Sequence, residues 1–315
     1  MYKRSMPTGS PFKSLCQVVV AACRKVTLRV PADAAVLYEV SDKIDQPRIA
    51  HTKEFTFLDK AAVVADSDLE EVTNVDAAAA ATGSWRLCTV TQVEELKILM
   101  RLLPIWATSI VLSAAYAQLN TTFVQQGSAM DMRVMSFTIP AASMVSFEVI
   151  CVLARLSPAS GEPSQLRRMG AGRLLMAFAM AVAALVEMRR LEAAGSGESI
   201  SIGWQMPQYF VLAGAEVFCY IAQLEFFYSE APESMKSMCT SFALLTVALG
   251  SYASSLIYAV VNALTATGGR PGWISDDLNE GHLDYFFWTM AALCTLNFVV
   301  YSAFARNYQV KTVVS

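Results

Sequence analysis

Histidine is nearly missing from this chain: His51 and His282 are the only two in 315 residues. A His-based metal box is therefore excluded, and no HExxH or GxSxG occurs, so no enzyme signature is present and no metal site is expected. Charge is scarce as well, at 16% against about a quarter in soluble domains, while 55% of residues are hydrophobic. That balance describes an integral membrane protein in contact with a lipid bilayer. A net charge of −3 gives no reason to expect a nucleic-acid partner. The start, MYKRSMPTGSPFKS, lacks an apolar core after its basic residues and is not a secretory signal. The seven cysteines show no CxxC spacing and read as small packing residues.

What charge there is clusters early. Residues 1–92 read as a cytosolic leader, residues 93–308 as a bundle of six membrane helices, and 309–315 as a cytosolic tail. In the leader, Leu15, Val18, Val19, Ala22 and Val26 recur at helical spacing among Lys13, Arg24, Lys25 and Arg29. This predicts an amphipathic helix over about 12–29, lying on a membrane surface or packed against other helices, and closed by Pro31. The following stretch, 33–83, reads as a loosely structured linker.

The spacing predicts membrane helices at about 98–124, 137–154, 170–188, 204–227, 238–264 and 285–304. Thr91 with Glu94 fits a capping box opening the first, which Pro104 should kink. Pro140 suits the first turn of the second, and Glu148 lies inside it. Arg173 can snorkel from the first turn of the third. Gly250 and Ser254 permit close helix approach in the fifth. With the leader inside, the basic loop Arg155–Arg168, Lys236, Arg306 and Lys311 also fall inside, which satisfies the positive-inside rule.

The fourth run carries Glu216 at its midpoint. A charge there costs about 2.5–3.5 kcal/mol even on a lenient insertion scale. At ~100° per residue, Gln205, Tyr209, Glu216, Tyr220 and Gln223 share one stripe, with Phe210, Leu212, Val217 and Ile221 mainly off it. A second stripe, Ser109, Ser113, Tyr116 and Asn120, marks the first helix. Such stripes face protein or water. Glu216 thus reads as a substrate or proton site, or as a protonated glutamate held inside a bundle; the serine stripe reads as a lined path or as packing.

Several blocks resemble a known family: SPFKSLCQVVVAACRK, HTKEFTFLDKAAV, WRLCTVTQVEELKILMRLLPIWA, YAQLNTTFVQQG, QLRRMGAG, the Glu216 helix and GWISDDLNEGHLDYFFW. In this order they are similar to the second half of the plant nitrate transporter 1/peptide transporter family, proton-coupled oligopeptide transporters of the major facilitator superfamily. The resemblance implies an all-α membrane protein, the six-helix C-terminal bundle of such a transporter preceded by an interdomain linker with its amphipathic helix. It implies proton-coupled transport of small peptides or nitrate, with the proton as coupling ion and no other cofactor. Its partner would be the missing N-terminal six helices or an intact relative.

By the same resemblance, Glu216 matches a glutamate of proton coupling and substrate recognition, and Tyr116 and Asn120 match pocket-lining positions. With Ser113, Tyr209, Tyr220 and Gln223 they form the expected site. Some nitrate-binding members carry histidine at the Tyr116 position, so the peptide branch is favoured. The chain departs from the family in lacking the first six helices, in a shortened second helix, and in Arg173, where an apolar residue is usual. The alternative is a transport-inactive truncated membrane protein that at most associates with full-length relatives. Plasma and vacuolar membranes both fit.

Overall fold

A computed structural model describes residues 11–28, 30–31, 37–39, 48–49, 51–64, 85–134, 137–155, 164–232, 235–266, 272–275, 277–308 and 313–314. The chain divides into two compact units, one of residues 1–103, 230–239 and 308–315, the other of 104–229 and 240–307. The division does not follow the expected border at residue 92.

In the first unit, α1 (Pro11–Arg24) is amphipathic and ends five residues before the expected boundary. Its Val18, Ala21 and Ala22 pack on Leu58, Ala61 and Ala62, which belong to α2 (Thr56–Asp59) and the 3-10 turn Lys60–Ala62, and on Cys88 and Val93. The described parts of the expected loose linker are therefore folded against a core of their own, because small alanines let the short elements close. The remainder of 33–83 lies outside the described residues. A short antiparallel pair, β1 (Arg48–Ile49) with β4 (Val313–Val314), ties the leader to the tail.

The first membrane helix, α3 (Val90–Tyr116), begins in this unit and carries Pro104 within it. Its capping box is Thr89 with Gln92, not Thr91 with Glu94: the Thr89 amide donates to Gln92 Oε1 at 3.1 Å and the Gln92 amide to Thr89 Oγ1 at 3.3 Å. Glu94 is taken by another task. Buried Lys97 donates to Glu94 Oε1 at 2.8 Å and pairs with Asp59 at 2.7 Å, while Glu94 accepts from the amide and hydroxyl of Thr52. His51 lies 3.2 Å from Asp59. His51, Asp59 and Glu94 bring possible metal-ligand atoms within 4.8 Å of one another, but the Lys97 ammonium already bonds both carboxylates, so the arrangement is an ion-pair knot.

In the second unit α3 continues through a 3-10 turn, Ala117–Asn120, into α4 (Thr122–Ser128). A small hairpin follows, β2 (Arg133–Val134) with β3 (Phe137–Thr138). After it come α5 (Met144–Arg155) and α6 (Gln165–Gly195). The fourth run is α7 (Met206–Glu216), a π turn (Val217–Ile221) and α8 (Ala222–Glu230), and α9 (Lys236–Thr265) and α10 (Leu283–Arg306) complete the chain.

Among the described residues five helices are long and apolar enough to cross a membrane; the expected second span is a shorter apolar helix, Ala141–Val152. The strand residues Phe137 and Thr138 and the extended Pro140 take up the start of that run, so helical winding begins only at Ala141. The third span is longer than expected at both ends. Arg173 consequently sits two turns inside it and does not snorkel: it is 1% exposed, with Nη2 donating to Ser109 Oγ at 2.8 Å and its guanidinium stacked 3.8 Å over the Tyr301 ring. Arg190, beyond the expected end of that helix at residue 188, lies within it and is buried in a bidentate pair with Glu187.

The core of this unit includes the buried Ala179, Met180, Ala183 and Ala184 of α6 with Phe286, Phe287, Met290 and Ala291 of α10. Phe123 stands edge-on to Tyr209 and Phe287, at 5.7 and 5.5 Å between ring centres. Seven cysteines were expected as packing residues; Cys88, Cys219, Cys239 and Cys294 are buried, but Cys16 and Cys23 are exposed.

Candidate functional site

The site lies in the second unit, where α3, α5 and α7 bring oxygen-bearing side chains together. Gly172 of α6 permits the arrangement, since a Cβ there would stand 2.3 Å from Cys219 Sγ and 2.9 Å from the Cys219 amide nitrogen. That close approach seats the π turn that begins directly after Glu216. A π turn widens the helix locally and re-aims the side chains beside it, a feature frequent at functional sites.

Glu216 is half-buried and neighbours two groups, the Tyr116 side chain and the carboxyl of Glu148. Glu148, from α5, is 2% exposed and lies 3.5 Å from the Tyr116 hydroxyl. The Tyr116 and Tyr220 rings meet edge-on at 5.2 Å, and the Tyr220 hydroxyl donates to Ser113 Oγ at 3.1 Å. Among the described residues no lysine, arginine or histidine is ion-paired with either glutamate. The cluster is thus acidic, with phenols around it.

The other expected site residues are placed less centrally. Gln223 is buried, and Tyr209 is buried with its hydroxyl unpartnered. Asn120 is exposed at the end of the 3-10 turn. Leu212, expected off the stripe, is as deeply buried as Tyr209, because α7 packs on α5 as well as α6. The serine stripe divides: Ser113 serves the Tyr220 hydroxyl, whereas Ser109 serves Arg173. Gly250 lets α9 approach Ser113 closely, and Ser254 accepts from Gln118 Nε2 at 2.9 Å.

Sequence reasoning noted Glu148 within the second run but did not join it to the site. The signal was available: it is a second carboxylate inside an apolar run, and the cost that singled out Glu216 applies to it equally. An apolar groove of about 370 Å³ lined by Pro104, Val111, Leu296, Val300 and Phe304, among others, contains none of these residues.

A sequence profile described as the POT family (PTR2) matches residues 1–274. The chain is 44% identical to Protein NRT1/PTR family 8.3 of Arabidopsis thaliana, over 99% of this chain and 56% of that protein. It is also 44% identical to Protein NRT1/PTR family 8.5 of the same plant, over 96% and 53%. The chain thus spans about half the length of the curated relatives it matches. In fold it is similar to the crystal structure of an auto-inhibited POT family peptide transporter, with a TM-score of 0.58, 27% identity and coverage of 70% of this chain and 43% of that one. A second similar structure, the POT family transporter PepTSo, gives a TM-score of 0.54 at 22% identity, covering 69% and 43%.

Proposed function

The chain belongs to the POT family, and from that premise we propose that it supplies the acid-bearing half of a proton-coupled transporter of small peptides. The observation that carries the reading is the Glu148–Glu216 neighbourhood, two carboxyl groups brought together at the π turn of a membrane helix.

In this reading a proton from the outer side neutralises the pair, and its departure to the inner side restores the negative charge. The charged pair attracts a cation on a second six-helix bundle and the ammonium group of a peptide. The neutral pair releases that contact, and the two bundles rock about the midplane. An acidic cluster repels nitrate and attracts an ammonium group, which favours the peptide branch over the nitrate branch. Tyr116, Tyr220 and Ser113 orient the pair, and Gln223, Tyr209 and Asn120 line the path.

The test is uptake of a labelled dipeptide, and separately of nitrate, at acidic and neutral outside pH. Cells express this chain with the N-terminal half of Protein NRT1/PTR family 8.3, or this chain alone, with insertion verified. Acid-stimulated dipeptide uptake that disappears in Glu216→Gln supports the reading. Absence of uptake in both arrangements, with both pieces inserted, overturns it and favours a transport-inactive membrane protein. Fractionation of the same cells distinguishes plasma from vacuolar membrane.

A further inference from the structure

Helix α1 has two apolar faces, and among the described residues only one of them is covered. Val18, Ala21 and Ala22 are buried in the core of the first unit. On the other side Phe12 is 64% exposed, Val19 46% and Val26, in the turn that follows the helix, 62%, and both Cys16 and Cys23 are exposed. The five positions are spaced four, three, four and three, which places them along a single stripe. Exposed Lys13 and Arg24 flank it, and α1 contains no acidic residue.

An exposed apolar stripe edged by cations suits the boundary between acyl chains and anionic headgroups. The charge is complementary to a lipid surface, and among its described residues the same polypeptide carries five helices long and apolar enough to cross a membrane. The two thiols sharpen this. Of the seven cysteines only Cys16 and Cys23 are exposed, and they stand two turns apart, both within the stripe. Cysteines on amphipathic helices beside a membrane are the positions where long-chain acyl groups are attached. One chain gives only reversible attachment, and two signals give a stable anchor; this stripe offers two thiols and a basic edge.

We propose that Cys16 and Cys23 are S-acylated and that the outer stripe of α1 lies in the lipid–water interface. Each Sγ attacks the carbonyl carbon of a long-chain acyl thioester donor, a new C–S bond forms, the donor's C–S bond breaks, and the cysteine proton passes to the departing thiol. No oxidant or reductant takes part.

The experiment uses the full chain expressed in plant cells and fed an alkyne-bearing long-chain fatty acid. Label is read after membrane isolation, with and without hydroxylamine, which cleaves thioesters. Label that is released by hydroxylamine, falls to about half in Cys16→Ser and in Cys23→Ser, and vanishes in the double variant supports the proposal. Weaker labelling of Lys13→Glu/Arg24→Glu supports the role of the basic edge. Protection of buried Cys88 from maleimide in every variant shows that the first unit is folded. Persistent label in the double variant overturns the proposal. So does an unlabelled chain, whether its two thiols react with maleimide, which means a bare face, or are blocked, which means a protein partner covers it.

Discussion

Lys97 Nζ lies 2.7 Å from Asp59 Oδ1, so the leader is fastened to the first turns of the first membrane helix by an ion pair with both side chains buried. Glu94 shares the same ammonium at 2.8 Å. Lys97→Met strands two buried carboxylates, and breaking a buried pair from one side costs about 3–5 kcal/mol. The expected outcome is a lower unfolding temperature and faster proteolysis between residues 51 and 64. Asp59→Asn in the Lys97→Met background should recover part of the loss. A double variant no more stable than the single one would show that the pair is not coupled.

Glu148→Gln should abolish proton-driven uptake by the assembled transporter as fully as Glu216→Gln, since both remove one member of the carboxyl pair. Substrate binding at equilibrium, read by isothermal calorimetry, should weaken less than uptake. A Glu148→Gln protein that keeps the full acid stimulation would assign the coupling to Glu216 alone.

Among the described residues Arg173 has no carboxylate partner; it is held by Ser109, Thr108, the Met169 carbonyl and the Tyr301 ring. Both hydroxyls keep a partner without it, because each donates to the Ile105 carbonyl. Arg173→Met should therefore be neutral or stabilising, as hydrophobic replacement of a buried charge often is. Arg173→Ala should cost about 2–5 kcal/mol through the cavity it leaves. Thermal unfolding in nanodiscs separates the two, and equal damage from both would show that the charge itself is needed.

Gly172→Ala would push a methyl group into Cys219, costing about 1–3 kcal/mol by overpacking. Cys219→Ala should relieve only part of it, because the Cys219 backbone nitrogen is also too close, at 2.9 Å. Full rescue in the double variant would contradict the close backbone approach.

Burial pushes the Cys88 thiol from 9.0 up to about 11, against a smaller opposing effect of Lys25. The raised value means that folding favours the protonated thiol. Its contribution to stability is fully present below pH 9 and is lost as pH rises from 9 to about 11. Cys88→Ala should flatten the decline in unfolding temperature across that window, and in protein freed of thioesters by hydroxylamine maleimide should reach Cys88 far more slowly than Cys16 or Cys23. An unchanged slope in Cys88→Ala would place the pH dependence on other groups.

The membrane character, the four later spans and the intramembrane Glu216 were legible because apolar runs and intramembrane charge are one-dimensional signals. The capping residues were misplaced by two positions. Thr91 and Glu94 have the right chemistry, but Glu39 and Lys97, each distant in sequence or facing another element, draw them away. The second span was overlong because β-pairing near residue 137 competes with helix, and an apolar composition does not distinguish them.

The amino-acid sequence by itself determined which segments must leave water and which carboxylates must then find company, since transfer costs belong to residues one at a time. Only the tertiary structure decided who the company is. Glu216 meets Glu148 because Gly172 lets a π turn seat against α6, and Arg173 is sheltered because α3 and α10 close over it. Those outcomes depend on helix rotation and on approach distances of a few ångströms, quantities that arise from packing and are not encoded at any single position.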